Sequence, residues 1–410
     1  MGGAVRLRND FKASVLKGIR RLRKADLLVG ISTKNVETTI IHVMNIAATG
    51  LVDFFPDYRG AVVVCDGYST DRTMELAQLF ELPFRVGKVV TEELGELGKG
   101  SSVRTIFEIA LRSKAECVVL LDGDLLSVKP EWIEHLGKPP LYGTADLVVP
   151  FYIRHKYDGL ITNNLAYPLL RALFGVDVRQ PIGGEYGLSI ELIKRLLEHP
   201  LFPTGFGIDI FITTVAAAEG LALQETLLGL KLHTSTLQYS DPRKLLLPMF
   251  SEVVGTLLDL MIYYEEVWKA KPPRREVSRA MARYRGLRPP PTVLNLERMI
   301  RLFRQEYEEC RGVIRSHLEK GLFEKLSKGI NERIVIDADL WSKSVYSLAA
   351  AYKREEQKLP IINALRTLWL GRFITYAEET KDLGVQETER VLEDQARIFE
   401  ENRDYLISLF

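Results

Sequence analysis

Short apolar runs rich in valine, isoleucine and leucine alternate with helical spacing over the first half of the chain. The apolar runs cover residues 27–33, 61–65, 84–91 and 117–121. The stretches between them, at residues 35–49, 69–80 and 101–112, place apolar residues at the spacing of a helix. Strands that alternate with helices in this way form a mostly parallel sheet with helices on both faces. We therefore predict a Rossmann-like α/β fold that binds ligands at the carboxyl ends of its strands.

The second half of the chain has a different pattern. Residues 271–292 contain five prolines and six arginines, which predicts a linker or a connecting arm. Farther along, two apolar helical faces follow, with Trp341, Val345, Leu348 and Tyr352 on one and Leu365, Trp369 and Tyr376 on the other. The predicted organisation is a helical extension at 1–26, an α/β domain at 27–240 and an all-α domain at 241–410.

Composition limits the classes of function. The chain has 410 residues, 46% of them hydrophobic and 27% charged, which is typical of a globular protein with two domains. Its formal charge is only +1, so no overall field attracts nucleic acid and we expect no such partner. Three widely spaced cysteines, Cys65, Cys117 and Cys310, form no ligand pattern and predict a reduced, cytoplasmic protein.

Two stretches bear on membranes and export. The basic stretch at residues 6–24 is followed by no continuous apolar run, so we expect no signal peptide. The apolar run at 245–264 is interrupted by Glu252 and Asp259. A spanning helix would bury both carboxylates at a cost of several kcal/mol. We therefore predict a packed helix there and no integral membrane segment.

Two aspartates follow the fourth apolar run. Asp122 and Asp124 lie on the same side of a strand because side chains alternate along it. Such a pair can share a divalent cation and ribose hydroxyls, and Mg²⁺ or Mn²⁺ prefers these oxygen ligands. Gly123 would let the backbone approach the ligand. Asp-Gly is also common in plain turns, but the position after a fourth strand favours a site for metal and diphosphate.

Other polar residues stand at predicted strand ends. Asp66, after the second strand, can bond a nucleotide base or ribose, and Lys34, after the first, is a further donor-binding candidate. Lys99 lies between two glycines at a predicted helix start, where the helix terminus and the ammonium favour the same diphosphate. A capped helix start and a solvated surface lysine are the plain alternatives for Asp66 and Lys99.

Three later residues complete the candidate site. His233 is either structural or a further metal ligand through one imidazole nitrogen. The glycine-containing turns at 183–185 and 205–209 each deliver one carboxylate, Glu185 and Asp209. Because each turn is expected to open an apolar helix, we predict that both are loops of the site.

The motifs, taken in order, resemble a known group of retaining transferases with the GT-A fold. The order is 63–73, Gly98-Lys99-Gly100, Asp122-Gly123-Asp124, 180–185, Gly207-Ile208-Asp209 and Lys231-Leu232-His233. This order is similar to that of the mannosylglycerate, glucosylglycerate and glucosyl-3-phosphoglycerate synthases. The resemblance covers residues 27–240, and the helical half resembles the C-terminal region of mannosylglycerate synthase in character only.

The resemblance implies a role for each candidate. Asp124 and His233 would bind the metal, with Asp122 on the metal or the ribose. The implied donor-binding residues are Lys34, Asp66, Lys99, Asp122 and Gly123. Glu185 and Asp209 would line the sugar and acceptor pocket as the catalytic residues. His233 is followed by Thr234, where the mannosyl enzyme has arginine.

The resemblance also implies an acceptor. Arg154, Asp158 and Thr162 match the positions that hold glycerate in mannosylglycerate synthase, and a guanidinium fork suits a carboxylate. Leu160 stands where the phosphoglycerate enzymes carry an arginine for the acceptor phosphate. Lys156 is close enough in sequence to replace that arginine as a point charge.

The predicted function is transfer of glucose or mannose, with retention, from a GDP- or UDP-sugar to D-glycerate. The acceptor hydroxyl would attack from the face of the departing group, giving an anionic compatible solute. One alternative is glucosyl-3-phosphoglycerate synthesis. Another is a nucleotide-sugar-binding protein without catalysis, with the helical half as an assembly module. The apolar stripes of that half also predict a homo-oligomer.

Overall fold

The chain forms two compact units in a computed structural model. The model describes residues 7–8, 10–22, 24–234, 246–270, 274–275, 277–280, 288–289 and 295–410. The first unit comprises residues 1–153, 182–245 and 277–288, and the second comprises 154–181, 246–276 and 289–410. The predicted division at residue 240 placed 154–181 with the α/β part, whereas these residues pack with the C-terminal helices. Most of the predicted linker at 271–292 lies outside the described residues.

An eight-stranded sheet forms the centre of the first unit. Its strands in chain order are β1 (Leu27–Thr33), β2 (Gly60–Asp66), β3 (Gly87–Glu92), β4 (Cys117–Asp122), β5 (Leu147–Ile153), β6 (Tyr186–Ser189), β7 (Leu223–Leu230) and β8 (Ser278–Ala280). The spatial order is β3-β2-β1-β4-β6-β5-β7-β8. Among the strands that the structure describes, only β6 is antiparallel to its neighbours. The predicted mostly parallel sheet is confirmed.

Helices cover both faces of this sheet. They are α1 (Ala13–Leu22), α2 (Ile40–Phe54), α3 (Thr73–Leu79), α4 (Lys99–Arg112), α5 (Pro130–Leu141), α7 (Ile190–Glu198) and α8 (Ile208–Ala218). The odd-numbered residues of β1, such as Val29 and Ile31, join one core cluster with α2 and α5. Gly30, which points the other way, lies directly against Ile106 of α4. Strands buried on both faces explain the continuous apolar runs in the sequence.

The second unit is helical. It contains a π-helical turn (Thr162–Ala166), α6 (Tyr167–Phe174), α9 (Leu246–Tyr263), α10 (Glu265–Lys269), α11 (Leu296–His317), α12 (Lys320–Arg333), α13 (Ala338–Arg354), α14 (Lys358–Thr380), α15 (Val385–Glu401) and α16 (Arg403–Leu409). Both predicted apolar stripes lie in its core, on α13 and α14. The predicted all-α part of the fold is thereby confirmed.

The apolar run at 245–264 contains α9, as predicted. Asp259 of α9 is exposed, and its carboxylate accepts a hydrogen bond of 2.9 Å from the Tyr352 hydroxyl. Partial desolvation of this carboxylate raises the pKa of Asp259 above its ordinary range. In the part of the chain that the structure describes, every helix is too short or too polar to cross a membrane.

Some predicted elements differ from those observed. The third strand begins at Gly87 instead of residue 84, because Phe84 is fully exposed and cannot join a buried strand. The second helix covers Ile40–Phe54 instead of 35–49. Glu185 is followed by strand β6 and not by a helix, so that expectation was wrong, whereas Asp209 does lie in the first turn of α8. Four residues of antiparallel strand carry too little periodicity to be distinguished from the start of a helix.

Candidate active site

The two aspartates of the Asp-Gly-Asp motif stand at the carboxyl end of β4. The strand ends at Asp122, and β1 runs beside it in parallel. A Cβ on Gly123 would lie 2.7 Å from Cγ2 of Thr33 and 3.0 Å from the Ser32 carbonyl, so only glycine fits there. The turn therefore passes close to the end of β1, in the position predicted for a ligand site of an α/β sheet.

Lys99 links Asp122 to Asp209. Its Nζ lies 2.9 Å from Oδ1 of Asp122 and 3.0 Å from Oδ2 of Asp209. Lys99 is the first residue of α4, and the two amides that follow it donate to the carbonyls of Gly205 and Thr204. These bonds tie the start of α4 to the loop before α8. The Gly-Lys-Gly motif therefore places its lysine between two site carboxylates.

Lys231 is a site residue to which the sequence analysis gave no role. Its Nζ donates to the two carboxylate oxygens of Glu185 at 2.9 and 2.8 Å and to the Gly183 carbonyl at 2.8 Å. It also lies 3.6 Å from Oδ2 of Asp122. Gly184 adopts φ +90°, and a Cβ there would lie 2.5 Å from Oδ2 of Asp122. The sequence signal was a lysine two residues before His233, at the end of an apolar run.

Five residues thus form one group, the lysine–carboxylate cluster. Its members are Lys99, Asp122, Glu185, Asp209 and Lys231. Three carboxylates face two ammonium groups. At least one carboxylate in the cluster therefore lacks a full counter-charge when all are ionised.

Burial and pairing shift the titration of these groups in different directions. Burial alone would raise the pKa of Asp122, but the charges of Lys99 and Lys231 hold it below its usual range. Burial alone would lower the pKa of Lys99, but Asp122 and Asp209 raise it well above 10.5. Burial raises the pKa of both Glu185 and Asp209, and their lysine partners compensate only in part. Asp122 therefore stays ionised, whereas Glu185 and Asp209 bind protons more readily than ordinary carboxylates.

Tyr152 completes the surroundings of Glu185. Its hydroxyl donates to Oε2 of Glu185 at 2.5 Å, and the Lys231 ammonium lies 5.4 Å from the centre of its ring. The Glu185 carboxylate is fully buried. Glu185 is thus held on one side by a phenol and on the other by an ammonium, which fixes its orientation.

Asp124 and His233 form a second pair next to the cluster. A short antiparallel bridge joins Leu125 to His233, and the Thr234 amide donates to the Asp124 carbonyl at 3.1 Å. This pairing brings His233 Nδ1 to 3.5 Å from Oδ2 of Asp124. Both side chains are partly exposed, at 14% and 16%. A carboxylate and an imidazole at a sheet edge are a suitable partial ligand set for a divalent cation.

The predicted metal trio of Asp122, Asp124 and His233 does not come together. Among the residues that the structure describes, no three His, Cys, Asp or Glu side chains are arranged to hold a metal ion. The physical reason is that Asp122 turns its two oxygens toward Lys99 and Lys231. Asp124 and His233 are the two members of the predicted trio that face each other.

Asp66 and Lys34 differ in what they can offer a donor. Asp66 is fully buried and accepts hydrogen bonds from the Thr33 hydroxyl at 2.8 Å and from the amide and hydroxyl of Ser69, both at 2.7 Å. Through these three hydrogen bonds, Asp66 stabilises the turn after β2. Lys34 is exposed at the end of β1.

The three acceptor candidates lie in the second unit. Nη1 of Arg154 and Oγ1 of Thr162 lie 3.2 and 4.0 Å from the point where a Cβ on Gly159 would sit. Asp158 accepts the Gly159 amide at 2.7 Å. The guanidinium and the hydroxyl therefore both lie close to Gly159.

Lys156, the possible substitute for a phosphate-binding arginine, is engaged elsewhere. Its Nζ donates to the carbonyls of Thr380, Lys381 and Leu383 at 2.5, 3.1 and 3.0 Å. An ammonium has three donors. All three are used at the C-terminal end of α14, where a positive charge is favoured.

Similarity to solved proteins is found at the level of structure. The chain is similar to glucosyl-3-phosphoglycerate synthase from Mycobacterium tuberculosis in complex with Mn²⁺, UDP-glucose and phosphoglyceric acid, with 28% identity, 62% of this chain and 85% of that chain covered, and a TM-score of 0.46. A complex of that enzyme with Mg²⁺ and UDP gives 27% identity, the same coverage and the same TM-score. A crystal structure described as a mycobacterial protein gives 27% identity, coverage of 62% and 80%, and a TM-score of 0.47.

Two of these three structures are of glucosyl-3-phosphoglycerate synthase, which is one of the enzymes that the ordered motifs resemble. No protein-family model and no curated protein sequence matches the chain.

Proposed function

We propose that the protein is a metal-dependent retaining hexosyltransferase that moves glucose or mannose from a nucleotide diphosphate sugar to D-glycerate. The observation that carries this proposal is the lysine–carboxylate cluster beside the Asp124–His233 pair at the carboxyl end of β4. The two lysines supply positive charge for a diphosphate, and the carboxylates can bond sugar hydroxyls.

Asp124 and His233 fit a divalent metal. They provide one carboxylate oxygen and one imidazole nitrogen 3.5 Å apart and partly exposed. Mg²⁺ and Mn²⁺ commonly take one or two protein ligands and complete their shell with substrate phosphates. When bound there, the cation would neutralise charge that develops on the leaving diphosphate.

The cluster residues act on the donor in two ways. Lys99 and Lys231 both face Asp122, which lies between them. A bound diphosphate would compete for these ammonium groups with charge-assisted hydrogen bonds. Asp209 and Glu185, whose pKa values are raised by burial, would then bond the sugar and the incoming hydroxyl. A carboxyl group with a raised pKa takes up a proton more readily than an ordinary carboxylate.

The acceptor is proposed to be D-glycerate instead of 3-phosphoglycerate. Arg154 offers a fork for one carboxylate, and Thr162 offers a hydroxyl near the same point. Leu160 has no donor for a phosphate, and the donors of Lys156 are used by backbone carbonyls. A phosphate without these partners loses about 1.5–3 kcal/mol for each missing charge-assisted bond. That loss is roughly one to two decades of specificity.

A screen of donors and acceptors tests the proposal. Purified protein would be stripped of metal and incubated with GDP- and UDP-linked glucose and mannose, with either D-glycerate or 3-phosphoglycerate, and products would be identified by mass. We expect transfer to D-glycerate only after Mg²⁺ or Mn²⁺ is restored. A clear preference for 3-phosphoglycerate would make glucosyl-3-phosphoglycerate synthesis the function. If the protein binds the donor but neither transfers the sugar nor hydrolyses the donor, the result would indicate a nucleotide-sugar-binding protein.

A further inference from the structure

The segment that carries two of the proposed acceptor residues ends in an uncommon helical turn. Residues 158–166, named the acceptor segment, include Asp158 and Thr162 and end in the π-helical turn Thr162–Ala166. The Tyr167 amide donates to the Thr162 carbonyl, five residues back, as a π-turn requires. Single π-turns are rare and are frequent at functional sites. Such a turn needs support from its surroundings.

Three C-terminal helices supply that support through side-chain donors. Each donates to a backbone carbonyl of the acceptor segment. The bonds run from Trp369 Nε1 of α14 to Leu160 at 3.3 Å, from Gln395 Nε2 of α15 to Asn163 at 3.1 Å, and from Trp341 Nε1 of α13 to Asn164 at 2.6 Å. The three accepting residues surround Thr162 in sequence, so the bonds restrain the backbone on both sides of its hydroxyl.

The donors are themselves fixed. Trp341 and Trp369 are fully buried, and Gln395 is 1% exposed. Arg372 donates from Nε to Oε1 of Gln395 at 2.7 Å, which orients the amide so that its nitrogen faces the acceptor segment. Arg372 is in turn paired with Glu379 at 2.8 Å. Buried donors that are already oriented lose little entropy when they bond a carbonyl.

A fourth restraint acts on the Asn163 side chain. Arg179 donates from Nη1 to Oδ1 of Asn163 at 3.0 Å. Its other nitrogens form a two-bond pair with Glu389 of α15 at 2.8 and 2.9 Å. Thus α15 reaches Asn163 by two routes, to the carbonyl through Gln395 and to the side chain through Arg179.

We propose that Trp341, Trp369 and Gln395 are positioning residues for the acceptor. They touch the backbone of the acceptor segment and set where Thr162 presents its hydroxyl, and they need not touch the acceptor themselves. This inference rests on the proposed function, because the acceptor role of Thr162 belongs to that proposal. It gives the C-terminal helices a part in acceptor recognition.

The chain contains a matched control for the buried tryptophans. Trp268 of α10 is also fully buried, and its Nε1 donates to a backbone carbonyl, that of Met261, at 2.7 Å. Replacing Trp268 by phenylalanine removes the same kind of hydrogen bond as replacing Trp341 by phenylalanine. It also reduces the ring volume by the same amount. The bond that it removes is not made to the acceptor segment.

The experiment compares Trp341→Phe, Gln395→Met and Trp268→Phe in the full chain, with the acceptor that the wild type uses. Loss of one net hydrogen bond corresponds to roughly a 2- to 12-fold change in an equilibrium. We expect acceptor KM to rise about 3- to 10-fold in Trp341→Phe and Gln395→Met, with donor KM within about 2-fold of wild type. Trp268→Phe should lower the melting temperature about as much as Trp341→Phe does. It should leave both KM values unchanged.

Two outcomes overturn the inference. One is an acceptor KM unchanged in Trp341→Phe and Gln395→Met, and the other is an equal rise in Trp268→Phe. If the wild type transfers to no acceptor, the proposed function fails, and hydrogen exchange of residues 158–166 then decides the inference. Faster exchange in Trp341→Phe than in Trp268→Phe supports restraint of the acceptor segment, and equal exchange refutes it.

Discussion

Removal of Lys231 should destabilise the fold in a manner that depends on pH. Glu185 is fully buried and has bonds from Lys231 to both of its oxygens and from Tyr152 to one of them. In Lys231→Met only the Tyr152 bond remains. Breaking a buried pair by removal of one partner costs about 3–5 kcal/mol. We expect a loss of this size in the free energy of unfolding at pH 8.

The pH dependence follows from the direction of the Glu185 shift. Burial already raises the pKa of Glu185 above its ordinary value of 4.5, and loss of the ammonium raises it further. A carboxyl group with a higher pKa in the folded chain contributes stability below its unfolded pKa, and this is lost as pH rises through the folded pKa. The variant should therefore recover toward pH 5, by about 1.4 kcal/mol for each pKa unit of further shift.

Denaturant titrations followed by circular dichroism between pH 5 and pH 8 measure this effect. Lys88→Met is the matched control, because Lys88 donates only to backbone carbonyls, at 2.7 Å to Gln78 and 2.6 Å to Phe80. The loss of unfolding free energy in Lys88→Met should be the same at every pH in that range. Lys231→Met/Glu185→Gln should regain most of the stability at pH 8. A Lys231→Met profile parallel to wild type, or a double variant as unstable as the single one, would refute the reasoning.

Four further outcomes are expected. Asp209→Asn should lower the transfer rate by at least about 100-fold while melting at pH 8 at the same or a higher temperature, since burial raises the pKa of Asp209; near-normal turnover would exclude a catalytic role. Asp124→Ala should lower kcat about 100-fold or more without a change in melting temperature, and full activity of stripped protein in excess EDTA would contradict the metal assignment. Leu160→Arg should raise kcat/KM for 3-phosphoglycerate relative to D-glycerate by about 10-fold or more, and an unchanged ratio would count against the acceptor argument. Light scattering at micromolar concentration should give a homodimer or larger, and a monomeric mass would oppose the predicted assembly.

Local signals were sufficient for the first four strands of the sheet. Strands β1 to β4 begin or end within a few residues of the predicted runs, because buried parallel strands are continuous apolar segments. Two of the later strands are too short to give such a signal. Strand β6 has four residues and β8 has three, and each gains its stability from pairing with strands distant in sequence.

The candidate site was predicted by residue type more readily than by contact. Periodicity placed Asp122 at a strand end, but it could not show that Lys99 and Lys231 hold both of its oxygens. Asp66 had the position of a ligand residue, yet its three bonds to Thr33 and Ser69 belong to the turn. Which partner a carboxylate faces depends on loops that meet only in the folded chain.

The segments of the two units alternate along the sequence, and this order has a consequence during synthesis. The segment 154–181 is made early, but Arg179 bonds Glu389, which follows it by 210 residues. At translation rates of about 5–20 residues per second, the partner arrives roughly 10–40 seconds later. During that interval the apolar side chains of α6, among them Leu169 and Leu170, are not yet covered by the later helices. A nascent chain of this protein therefore exposes an apolar segment before the helices that cover it have been synthesised.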